Sequence, residues 1–134
     1  MDELLLQVAE SLRKTLALSS AEVWTGSGGH LTRSISVPDV PSTALTLSPE
    51  EESVVARAGV TGTAWLSVWM PGVVAGRESS LLRVAPTTHS GRVLGLIVAV
   101  RPPGGDQFTA DDDVVLTELA RQVGLALHLS LIHI

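Results

Sequence analysis

The side chains that most often do covalent chemistry are sparse in this sequence. Cysteine is absent, which excludes disulfides, thiolate nucleophiles, iron–sulfur clusters, Cys-bound zinc and thioether-attached chromophores. His30, His89, His128 and His133 show no ligand-pair spacing, and no serine stands in a Gly-x-Ser-x-Gly elbow, so zinc-hydrolase and serine-hydrolase chemistry lack their signatures. Asp111, Asp112 and Asp113 form an acidic run at the predicted start of a helix. The helix dipole favours negative charge there without any metal. The run Gly26-Ser27-Gly28-Gly29 lacks the Gly-x-Gly-x-x-Gly spacing and the following helix of a phosphate cradle, and reads as a hairpin turn. The sequence assigns no catalytic residue and no metal ligand.

Four residues are candidates for binding. On a strand reading, Trp65 and Trp69 share one face with Ser67 while Leu66, Val68 and Met70 take the other. Two adjacent indoles either line an aromatic pocket for a flat ligand or fill the core. Arg83, inside a predicted strand, either faces an anionic group or is an exposed strand residue. His89, at the following turn, is the histidine nearest this candidate pocket, and a solvated turn histidine is its bland reading.

The elements that position these residues follow from periodicity. Leu5, Val8, Ala9, Leu12 and Leu16 recur at three- and four-residue spacing and predict a helix over about residues 2–18. Residues 21–25 and 30–37 alternate as two strands of a hairpin. After the breaks at Pro38 and Pro41, Ser48-Pro49-Glu50-Glu51 starts a helix with a capping box, and Gly59 stops it. Residues 64–70 and 81–87 read as strands separated by a Pro71-Gly72 break and a loop over 76–80. Residues 93–100 are apolar at odd and even positions alike, as in a central strand covered on both faces. Thr109 caps a last helix whose stripe is Val115, Leu116, Leu119, Ala120, Val123 and Leu127. This order predicts an α+β fold: an antiparallel sheet of about five strands with the terminal helices packed together on one face.

Composition bounds the partners. The chain has 134 residues, 45% of them hydrophobic, which suits one domain and excludes wholesale disorder. A net charge of −5, with no basic run, argues against nucleic acid as a partner. No apolar stretch reaches the roughly 20 residues of a membrane helix, and Asp2 and Glu3 replace the basic start of a secretory signal. A cytoplasmic protein is expected.

Two groups of residues resemble a known family. Gly91-Arg92-Val93-Leu94-Gly95-Leu96-Ile97-Val98, then Phe108-Thr109-Ala110-Asp111-Asp112, Leu116, Leu119-Ala120 and Gln122 to Leu127, are similar to the C-terminal half of a GAF domain. Gly62 to Pro71 and Leu82-Arg83-Val84-Ala85-Pro86 resemble, more narrowly, GAF domains that precede the kinase core of bacterial sensor histidine kinases. The resemblance implies a ligand pocket on one side of the sheet, the terminal helices on the other, and a regulatory rather than catalytic role, with no phosphorylation by this chain alone. It implies no covalent bilin, because Cys is absent, and no cyclic-nucleotide motif, because Asn is absent and Lys14 is the sole lysine. The sulfoxide reductase activity of some GAF-like domains needs thiol chemistry that this sequence cannot supply. The cofactor and the ligand stay unknown.

Leu129-Ser130-Leu131-Ile132-His133-Ile134 resembles the translation of a sequencing adaptor, so residues 2–128 are expected to form the sensory domain and 129–134 a non-native tail. Surplus leucines on the terminal helices, Leu4, Leu6, Leu16, Leu125 and Leu127, point to a homodimer through those helices. The expected role is signal input for a sensor histidine kinase through a small molecule or partner. The alternative is a ligand-free dimerisation module.

Overall fold

The computed structural model describes the backbone of residues 1–132 and the side chains of residues 1–130. The chain runs α1 (Asp2–Thr15), β1 (Ser20–Ser27), β2 (His30–Val37), β3 (Ala44–Thr46), α2 (Pro49–Ala58), β4 (Thr61–Gly62), α3 (Thr63–Trp69), α4 (Pro71–Val74), β5 (Leu81–His89), β6 (Arg92–Arg101) and α5 (Ala110–Ile132). The six strands form one antiparallel sheet in the order β3-β2-β1-β6-β5-β4. The predicted α+β architecture is therefore present. β6 lies near the centre, and its residues from Val93 to Val100 are all buried, as covering on both faces requires.

Alternate residues of the central strands feed two cores. Trp24, Leu82, Val84, Leu96 and Val98 point to one face, under α2, α3 and α4. Ala21, Val23, Ala85, Ile97 and Ala99 point to the other, where they meet Leu5, Ala9 and Leu12 of α1 and Leu116, Ala120 and Val123 of α5. At about 25 cal/mol per Å² of apolar surface, both layers must be filled before a domain of this size outweighs its chain entropy.

The caps follow the sequence. Ser48 Oγ accepts the Glu51 N–H and Glu51 returns a bond to the Ser48 N–H. Thr109 and Asp112 repeat that exchange at the start of α5. Gly95 and Gly124 set how closely the layers approach. A methyl group at Gly95 would collide with the Trp24 carbonyl, and one at Gly124 would lie 3.3 Å from the Thr88 carbonyl oxygen. α5 can thus rest directly on β5 where the β5–β6 register shifts between Thr87 and Thr88.

One predicted element is wrong. Residues 64–70, expected as a strand, lie in α3 (Thr63–Trp69) and its C-cap Met70, and β3 and β4 are two short strands the periodicity did not show. The error has a simple cause, since positions i and i+4 share a face in both a strand and a helix. Leu66 with Met70, and Trp65 with Trp69, are such pairs, so only Ser67 and Val68 discriminate. Val68 is 71% exposed, out of register with the buried Leu66 and Met70 that it would accompany in a strand.

Candidate functional site

The four candidate residues divide between the two faces of the sheet. Trp65 and Trp69, one turn apart on α3, stack with ring centroids 6.0 Å apart and planes 30° from parallel. Both are half-buried, and Trp65 packs on the outside of the core beneath α3. That core is occupied by Trp24, Leu31, Leu66, Met70 and Leu96, all buried.

A buried charge cluster closes the side of this core. Glu22 on β1 accepts two hydrogen bonds from Arg77, at 2.6 and 3.0 Å, and one from the Trp24 indole at 3.0 Å. Arg33 of β2 adds a longer contact at 3.4 Å. Arg77 also donates to the Val73 carbonyl, so the same guanidinium ties the end of α4 to the sheet. A carboxylate with 2% of its side chain exposed survives there only because these donors replace its water. Arg33 Nε is buried without a hydrogen-bond partner, although Arg33 Nη2 reaches the Pro41 carbonyl at 2.6 Å.

Arg83 and His89 lie on the opposite face, against α5. Arg83 Nε is 3.3 Å from Asp113 Oδ1, out of line for a hydrogen bond, so the pair is an ion contact. Its guanidinium also stands 5.3 Å from the Phe108 ring, and Arg101 covers the same ring at 4.4 Å. Arg101 pairs with Asp112 and donates to the carbonyl of Leu16, which joins the end of α1 to the start of α5. Thus Asp112 and Asp113 anchor the start of α5. Among the described residues no group of three or more potential ligands is placed around one point. His89 stacks on His128 of α5, a pairing that their separation in sequence did not reveal, while His133 lies outside the described residues.

The structure therefore brings Trp65 and Trp69 together, brings Arg83 and His89 each to α5, and does not join the two groups in one pocket. Five surface clefts surround the terminal-helix face, and none of these five is lined by any of the four residues. One, of about 260 Å³, lies between α5 and the Gly59-Val60 turn; another, of about 400 Å³, separates Ser11, Leu12 and Thr15 of α1 from Val115 and Leu119 of α5. Sequence reasoning missed Glu22, although a lone acid among Ala21, Val23 and Trp24 was a usable signal. Arg77, in a loop, offered none.

A family model described as the GAF domain matches residues 1–129. The chain belongs to the GAF domain family. Solved structures with the same fold include the blue-light absorbing form of the PixJ GAF domain from Thermosynechococcus elongatus, with a TM-score of 0.76 and 14% identity over 98% of this chain and 88% of that one. The GAF-B domain of DevS from Mycobacterium smegmatis gives 0.68 and 19% over 96% and 93%. A type II free methionine-R-sulfoxide reductase from Thermoplasma acidophilum gives 0.70 and 14% over 95% and 92%. At these identities the likeness is one of fold, a fold found both in a light-absorbing domain and in an enzyme. No significant match exists among curated proteins. No helix among the described residues is long and apolar enough to cross a membrane.

Proposed function

We propose that this chain is the signal-input domain of a two-component sensor histidine kinase in the cytoplasm, non-catalytic itself, and that α5 carries its output to a kinase module beyond residue 128. The observation that carries this reading is the attachment of α5. Its first turn is held to both β5 and β6 by the Arg83–Asp113 and Arg101–Asp112 pairs around Phe108, and its second half rests on β5 at Gly124. A shift of the sheet then moves α5 as a body. Residues 129–134 are read as a non-native tail. The test is to amplify the gene from intact genomic DNA across codon 128 and assay the encoded protein with radiolabelled ATP. A polar helical continuation followed by an autophosphorylating histidine is expected; recovery of the present tail and a stop codon overturns the reading.

A second reading, a ligand-free dimerisation module, is favoured by the filled core beneath α3. On the first reading Trp65 and Trp69 are the contact for a flat molecule or a partner, and Arg83 and His89 serve α5. Thermal shift against a library of planar aromatic compounds separates the two. Stabilisation that is lost in Trp69→Ala supports sensing, and no response to any compound supports the structural role.

A further inference from the structure

His89 is the last residue of β5, and its imidazole lies on that of His128 with ring centroids 3.5 Å apart and planes 19° from parallel. The contact sits one turn beyond Gly124, where α5 rests against Thr88 of β5, and next to Leu127, which packs on the core. Two neutral imidazoles stack readily, and an imidazolium on a neutral ring is also tolerated. Two imidazolium rings at this separation repel. Imidazole is the side chain that changes charge between pH 8 and 5.

His89 is exposed and His128 half-buried, so water screens a second proton only in part, and no salt bridge to either ring is present among the described residues. Across from His89 on β6 stands Arg92, already paired with Glu52 of α2. On α2, Glu51 caps its own helix. On α5 the charged residues nearest His128 in sequence are Arg121 and Glu118, which pair with each other at 2.7 Å. Arg83 on β5 is engaged with Asp113 at the other end of the helix.

We propose that His89 and His128 form a proton-sensitive clamp that holds the second half of α5 to β5 when the rings are neutral and releases it when both are protonated. The clamp is a property of this chain; only its signalling consequence rests on α5 being the output helix. Amide exchange measured by mass spectrometry at pH 8 and pH 5, corrected for intrinsic rates, tests it. Protection over residues 122–130 should fall about tenfold, equivalent to about 1.4 kcal/mol, while the amides of β6 keep theirs. The His89→Phe/His128→Phe protein, which keeps a stacked pair of rings without the charge, should show no such change, and His128→Gln should show the lower protection at both pH values. The proposal is overturned by protection that is equal at both pH values in the parent chain, by a pH effect that persists in the double phenylalanine variant, or by a loss spread equally through β6.

Discussion

Arg77 and Glu22 meet through two hydrogen bonds of 2.6 and 3.0 Å although 55 residues separate them in sequence. The carboxylate lies inside the sheet's covered face, whereas the guanidinium comes from the loop after α4, so this pair fastens the α3–α4 layer over the core. Removing Arg77 leaves the buried Glu22 with only the Trp24 indole and the longer Arg33 contact, so the loss approaches the roughly 3–5 kcal/mol of a broken buried pair. Arg77→Ala is therefore expected to lower the urea midpoint sharply. Glu22→Gln, which still accepts from Trp24, should cost less. Equal midpoints for Arg77→Ala and the parent would show that the buried pair does not hold this layer.

Glu52 gives the domain an acid-sensitive seam. Hydrogen bonds from Arg92 hold its carboxyl below the ordinary glutamate value; partial burial opposes this, and the Val93 N–H reinforces the lowering. A carboxylate whose value is lowered by folding contributes stability that is complete above the unfolded value and is lost as pH falls through the folded one. The urea midpoint of the parent chain should thus fall on going from about pH 5 to pH 3. In Glu52→Gln that slope should be shallower, with a lower midpoint at pH 7. Identical slopes in the two proteins would remove Glu52 from the acid response.

The parts of the fold legible in the sequence were those where local and tertiary demands agree. The leucine stripe of α1, the Ser48–Glu51 and Thr109–Asp112 caps and the uninterrupted apolar run of β6 each identify one element without reference to the rest. α3 failed because seven residues with i,i+4 pairs satisfy both periods, and the outcome was decided by tertiary contacts at its start, where Thr63 Oγ1 donates to the Ser80 carbonyl and accepts the Leu82 N–H. The site was less legible still. Trp65 and Trp69 were found as neighbours for the wrong reason, and the partners of Arg83 and His89, Asp113 and His128, lie on a helix that the sequence could not orient against β5.

The terminal helices leave apolar side chains uncovered. Leu4 of α1 is 45% exposed and Leu125 of α5 is 55% exposed, beyond what the seam with the sheet buries. A homodimer through these helices is the arrangement such faces suit, because the same patch then meets itself across a two-fold axis. Light scattering of the chain without residues 129–134 should show a concentration-dependent dimer. Leu4→Glu/Leu125→Glu should be a folded monomer, with the dissociation constant raised at least about tenfold. A parent chain that stays monomeric when concentrated would rule out this interface.

The tryptophans separate a fully buried aromatic from two half-buried ones, and the difference can be measured residue by residue. Trp24 is fully buried and donates its indole N–H to Glu22, so Trp24→Phe both opens space in the core and removes one donor from a buried carboxylate. The second effect alone costs about 1–3 kcal/mol. Trp65 and Trp69 bury one side each and stack on one another, with neither indole among the hydrogen-bonded groups of the core. Trp69→Ala should accordingly lose less stability than Trp24→Phe. In fluorescence, the Trp65→Phe/Trp69→Phe protein, which retains only Trp24, should emit to the blue and resist acrylamide. The Trp24→Phe protein should be quenched readily. Were Trp65→Ala or Trp69→Ala to destabilise the chain as much as Trp24→Phe, the two indoles would be pillars of the core, and α3 would have no free aromatic surface to offer a ligand or partner.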